Sequence, residues 1–207
     1  MRPRARGTMD KEPRLHRSWG TRQPPGGRGS LLTGFSKGIR KVEVGLKWDP
    51  SPSGQPPTDL DLVAATFVSG DAYGTPAYLV HFDSRSPDGT IFLNRDSTDG
   101  RGFGWDEVMT LELDRLDGRY TRVVVGVVIQ QQFGHKTFVN ILNPAMRIRV
   151  ERYTVLAQDD FGSVPGATAA TIAEFVRDAS GEWTFRPGVH GFEEDPATFT
   201  RVMGRAR

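Results

Sequence analysis

Cysteine is absent from this chain. Its absence excludes disulfides, thiolate zinc centres and cysteine nucleophiles, and it fits a reducing compartment. Long apolar runs are missing too. Nothing approaches the roughly 20 residues that a spanning helix needs, so membrane insertion is not expected. The basic N-terminus is not followed by an apolar h-region, so no secretory signal is expected either. Hydrophobic residues fill 37% of the 207 positions, fewer than a fully folded domain normally holds, so part of the chain is expected to lie outside a core. The four histidines, His16, His81, His135 and His190, are scattered. No P-loop, metalloprotease helix motif or nucleophile elbow accompanies them, so the chain is not expected to be an enzyme.

The net charge of +2 conceals an asymmetry. Residues 1–41 carry 11 Lys or Arg against 2 Asp or Glu, while the remainder carries 16 against 23, a body of net −7 behind a head of net +9. An acidic body suits cations, and a basic tail suits anionic partners. Residues 1–33 are rich in Arg, Pro and Gly and hold too few apolar groups to offset the entropy of ordering. They read as a disordered tail, with Met9 as an alternative start inside it. No aromatics interleave with its charges, so nucleic acid is not expected as a partner except through this tail.

From Gly34 onward, residues 34–207 read as one domain of short alternating runs separated by turn clusters. In "KVEVGLKW", Val42, Val44, Leu46 and Trp48 share one face with period two. "DLDLVAATFV", "AYLVHF", "TIFL" and "VMTLEL" follow. "RYTRVVVGVVIQQ" is apolar on both faces, as an inner strand covered on both sides would be. Gly126 within it signals a bulge or a close approach. "AMRIRVERYTV" alternates again. "ATIAEFVRD" and "EWTFRPGV" flank Ala-Ser-Gly, a hairpin signal. The end reads as a short helix with Asp195 as N-cap and Pro196 in first position. Eight or nine strands with so little helix predict an all-β fold, an antiparallel β-sandwich of two sheets with a short C-terminal helix.

The candidate chemistry is carboxylate chemistry. Asp59 and Asp61 open the second strand and, two residues apart, point to one face with Cα atoms about 6.5–7 Å apart. Val63, Ala65 and Phe67 continue that face as core, which puts the acids at its rim. The stretch "LNRDSTDGRGFGWDE" adds Asp96, Asp99, Asp106 and Glu107 around three glycines. Hard cations such as calcium take six to eight oxygens, and a glycine-rich loop can turn its carbonyls inward. An EF-hand fits badly, because Arg101 stands where that loop needs glycine and no helices flank it.

In this order, "KVEVGLKWD", "DLDLVAATF", "SPDG", "RDSTDGRGFGWDE", "RVVVGVVI", "FVNILNPAMRI" and "GEWTFRPGVHGF" resemble the tellurium-resistance, or TerD-like, family of bacterial stress and calcium-binding proteins. The resemblance covers residues 34 to about 192. It implies a cytoplasmic, non-enzymatic β-sandwich that binds calcium through rim acids and serves tellurite or general stress resistance alongside protein partners of that system. Carried over residue by residue, Asp59 and Asp61 fall on the family's strand-start acids, Asp96 on the first Asp of its loop, and Asp106 and Glu107 on the terminal pair. Gly100, Gly102 and Gly104 keep the glycine frame. Arg95 replaces a Gly and Ser97 an Asn, Phe103 and Trp105 replace two aspartates, and Asp99 stands in place of Thr. Two lost carboxylates and one gained arginine lower the attraction for calcium. The expectation is one weakened calcium site, with complete loss as the limiting case. The alternative is a metal-independent interaction surface built on Phe103 and Trp105, exposed aromatics being common binding anchors.

Overall fold

The computed structural model describes residues 38–151 and 153–205. The expected tail lies outside them. Ten strands and one α-helix are described: β1 Lys41–Asp49, β2 Leu60–Val68, β3 Tyr78–Val80, β4 Ile91–Arg95, β5 Glu107–Glu112, β6 Tyr120–Ile129, β7 Leu142–Val150, β8 Thr154–Asp159, β9 Ala169–Arg177, β10 Trp183–Phe192 and α1 Pro196–Val202. They form two five-stranded sheets, β4-β5-β1-β7-β8 and β10-β9-β6-β2-β3. All pairings are antiparallel. The expected sandwich is the fold observed. No helix among the described residues is long and apolar enough to cross a membrane.

The central strands follow the sequence pattern. Val42, Val44, Leu46 and Trp48 of β1 are buried between the sheets. β6 is apolar on both faces for a reason visible in the packing. Val123, Val125, Val127 and Ile129 enter the main core, while Val124 and Val128 lie in a second cluster under α1 with Phe199 and Met203. Asp195 caps that helix, accepting from the Thr198 N–H at 3.0 Å. Gly126 lets the helix sit down: a Cβ there would lie 2.7 Å from Phe199 Cζ and 3.0 Å from the Ala170 carbonyl. Gly126→Val is therefore expected to cost about 2 kcal/mol or more through overpacking, read by urea denaturation.

Two strands differ from the sequence pattern. "AMRIRVERYTV" is not one strand: the chain turns at Glu151, whose φ is +49, and splits it into β7 and β8. "AYLVHF" yields only Tyr78–Val80, followed by an isolated bridge between His81 and Ser84. β3 therefore pairs with Ala64–Thr66 of β2 and leaves the first half of β2 without a strand on that edge. This short β3 positions the candidate site.

Candidate metal centre

Val63, Ala65 and Phe67 are buried as expected, but in the cluster beneath α1; the main core takes Leu60, Leu62 and Ala64 instead. Asp61 begins the α1-side face at the uncovered edge of β2. From the opposite sheet, Glu107 begins β5 on the face that continues with Met109 and Leu111, all three with no exposed surface. A carboxylate thus occupies a core position. Its Oε2 accepts the Leu62 N–H, bridging the two sheets where β3 has stopped.

Asp61, Asp96 and Glu107 each present a carboxylate oxygen, and the three oxygens lie within 4.8 Å of one another. Gln130 Nε2 donates to Asp61 Oδ2. Two buried oxygens in this region have no hydrogen-bond partner, Glu107 Oε1 and Asp59 Oδ1. The electrostatics register the crowding. Burial, then the neighbouring charges of Asp61, Asp96 and Asp99, push Asp59 up to about 7. Burial is also the main reason Glu107 is pushed up to about 10, with Asp61 and Asp96 adding to it and the Leu62 N–H opposing it. Asp61 is raised too, by burial first. Like charges at this spacing favour protonation unless a cation joins them.

The other predicted ligands part from this group. Asp106 is buried and accepts the Trp48 N–H at 3.1 Å. Burial raises it, while the Trp48 N–H and the Arg95 charge draw it down. Arg95 adds a positive charge on the Asp106 side of the division. Its Nη1 donates to the Phe103 carbonyl at 2.9 Å, and its Nη2 would lie 2.5 Å from a Cβ on Gly102. A guanidinium is thus tied into the loop next to Asp106. Asp99 flanks the cluster, its Oδ1 on the Arg101 N–H at 3.0 Å and its Oδ2 3.6 Å from Arg101 Nε. Gly100 at φ +67 packs so closely on Trp48 that a Cβ would lie 2.6 Å from its Nε1. That contact fixes the glycine frame against β1.

Phe103 and Trp105 take different positions. Phe103 is 97% exposed at the loop tip. Trp105 folds back over the outer face of β1, where a Cβ on Gly45 would meet its ring at 2.7 Å. Arg147 and Lys47 lie over the same ring at 4.6 and 5.7 Å. Trp105 is a half-buried clasp holding the loop to the sheet, and Phe103 is the more fully exposed of the two. The sequence reading missed Gln130, which follows β6 and whose N–H also bonds the Asp59 carbonyl at 2.9 Å. Only strand pairing brings it to the acids, and no local motif marks it.

The geometry defines an all-β sandwich with a carboxylate cluster where its two sheets meet at one rim. The chain belongs to the TerD-domain family, whose model matches residues 25–201, beginning inside the expected tail. It is 30% identical over 173 residues to the tellurium resistance protein TerD of Serratia marcescens, covering 78% of this chain and 85% of that protein. It is 27% identical to stress response protein SCP2 of Bacillus subtilis strain 168, over 74% of this chain and 84% of the relative. A solved structure of a protein of unknown function, SAV2460, superposes with a TM-score of 0.81 at 74% identity, covering 83% of this chain and all of that one.

Proposed function

We propose that this tellurium-resistance and stress-response family member binds a single calcium ion at the sandwich rim and acts without catalysis, in the cytoplasm, through protein partners. Asp61, Asp96 and Glu107 would hold the ion, with Asp59 beside them and Asp99 on the flank. The observation that carries the reading is the convergence of three carboxylates within 4.8 Å, next to unpartnered buried oxygens on Asp59 and Glu107. Such a donor set of oxygens fits a hard cation, and a bound ion would supply the charge that these acids lack as neighbours.

Arg95 supports the reading of a single ion. Its positive charge beside Asp106 disfavours a further cation there. Calorimetric titration tests both statements. The natural chain is expected to bind one calcium, and Asp61→Asn to weaken it tenfold or more. Arg95→Gly is expected to tighten binding by about tenfold, because it removes a positive charge within a partly desolvated acidic site. Absence of heat and of any melting shift at millimolar calcium, in the natural chain and in Arg95→Gly alike, sinks the proposal.

Phe103 favours a second reading of the same loop. Its ring is almost wholly exposed beside the acids, which suits a protein contact that persists in chelator. The half-buried Trp105, seated on Gly45, would border that contact.

A further inference from the structure

We propose that the outer face of the α1-bearing sheet carries a binding site for a small organic oxyanion, a carboxylate or phosphate joined to an apolar group. Helix α1 covers only part of this face. Beyond Met203 a cleft of about 430 Å³ remains open over β6, β9 and β10. Its volume falls in the range of small-molecule sites.

The charge of the cleft runs against that of the body. Residues 42–207 carry 16 Lys or Arg against 23 Asp or Glu, yet the cleft is lined by Arg122, Arg186 and Arg205 against Glu174 alone, with His190 beside them. Such a local reversal concentrates anions at the cleft.

Arg122 is held in place before any ligand arrives. Its Nε donates to Glu174 Oε1 at 2.8 Å, and its Nη1 to the carbonyls of Ala72 at 2.8 Å and Gly204 at 2.6 Å. The guanidinium stacks 4.5 Å from the Tyr73 ring centre and 5.1 Å from that of Phe67. With Nε and both Nη1 hydrogens engaged, Arg122 fixes a positive charge at the floor of the cleft and keeps only Nη2 to donate, while the exposed Arg186 and Arg205 are placed to supply the further contacts to a carboxylate or phosphate. Arg186 is more loosely attached: its contact with the same Glu174 oxygen is 3.4 Å and largely exposed. An exposed pair of that kind contributes little, so Arg186 can turn to an incoming anion at small cost. Arg205 and His190 are exposed at the rim.

The strands are irregular where the cleft needs them to be. The β9–β10 register shifts between Pro187 and His190, and the β6–β9 register shifts between Val125 and Gly126. Bulges of this kind re-aim side chains and cluster near functional sites. Val124 and Met203 supply an apolar lining, and the half-exposed Tyr73 ring forms a wall. A cationic rim over an apolar floor selects an anion with an apolar body rather than a bare ion.

The test titrates phenyl phosphate, benzoate, inorganic phosphate and, as a cationic control, benzylamine into the full chain, following backbone amide shifts by NMR. Calcium is stripped beforehand on a chelating resin and no soluble chelator, itself a polycarboxylate, is added, so the acidic rim takes no part and the outcome is independent of calcium. Saturable shifts around Thr171, Gly188 and His190 are expected with phenyl phosphate or benzoate, and whichever binds more tightly identifies the phosphate or carboxylate source. Inorganic phosphate is expected to bind more weakly and benzylamine not at all. Arg122 also ties down Ala72 and Gly204, so the exposed pair carries the mutational arm. Arg186→Ala with Arg205→Ala is expected to weaken binding about tenfold, the loss typical of charge-assisted hydrogen bonds. Glu174→Gln is expected to tighten it severalfold. The proposal is overturned if neither organic anion gives saturable shifts in the cleft, or if the double variant binds as tightly as the natural chain.

Discussion

In chelator, the melting temperature is expected to fall as pH rises from about 4 to about 8, and added calcium is expected to reverse that fall. The sign follows from Asp59 and Glu107. Each is held well above its ordinary value, Asp59 at about 7 against 3.8 and Glu107 at about 10 against 4.5, with burial the leading cause for both. Between the unfolded and folded values the native chain binds more protons than the unfolded one, so unfolding releases protons and stability declines with pH. Below about pH 4 both groups are protonated in either state and the effect vanishes. The opposite limb comes from acids held low, Asp88 by its bonds to Thr90, Glu112 by Lys41 and Arg115, and Asp195 by Thr198. Their contribution is present above the unfolded carboxylate value and is lost as pH falls through their folded ones. Stability in chelator should therefore peak in mildly acid solution. Calcium needs the carboxylates ionised, so its stabilisation should grow along the same pH window. Scanning calorimetry between pH 4 and 8, with chelator and with calcium, measures both slopes. Asp59→Asn should flatten the lower part of the chelator curve. A chelator curve that stays level or rises through this range, with no gap opening to the calcium curve, contradicts the account.

The sequence carried the fold where period-two patterning was strong and the environment symmetric. β1 and β6 could be read residue by residue, including the double-sided burial of β6, because alternation needs no knowledge of partners. The acids were legible as residue types for the same reason: Asp59, Asp61, Asp96 and Glu107 stood in a recognisable order. Their division was not legible. That Asp106 turns to the Trp48 N–H and Asp61 to Gln130 depends on which strands lie side by side. The short β3 was equally hidden. "AYLVHF" has a strand's composition, but a strand persists only where a neighbour pairs with it, and β2 offers pairing only to Tyr78–Val80. The separate fates of Phe103 and Trp105 rested on a glycine 60 positions from Trp105, Gly45, whose missing side chain makes the seat for the indole.

Glu107 combines two roles that substitution should separate. As a carboxylate it is the fully buried member of the acid cluster; as an acceptor it satisfies the Leu62 N–H on the edge that β3 leaves uncovered. Glu107→Gln keeps an oxygen for that N–H and removes the cost, growing with pH, of keeping a buried acid protonated in the folded chain. In chelator it is expected to be at least as stable as the natural chain, and more so toward pH 8, while its calcium response disappears. Glu107→Ala removes the acceptor and empties a core position, so it should lose about 2–4 kcal/mol with or without calcium. Urea denaturation of both variants, each with and without calcium, distinguishes the roles. Full calcium stabilisation in Glu107→Gln would remove Glu107 from the metal site. Equal stability of the two variants in chelator would remove it from the edge of β2. The two expected losses together explain why a charged residue occupies a core position of β5: with β3 ending at Val80, only a side chain from the facing sheet reaches the open N–H, and a carboxylate can do so while leaving its second oxygen for an ion.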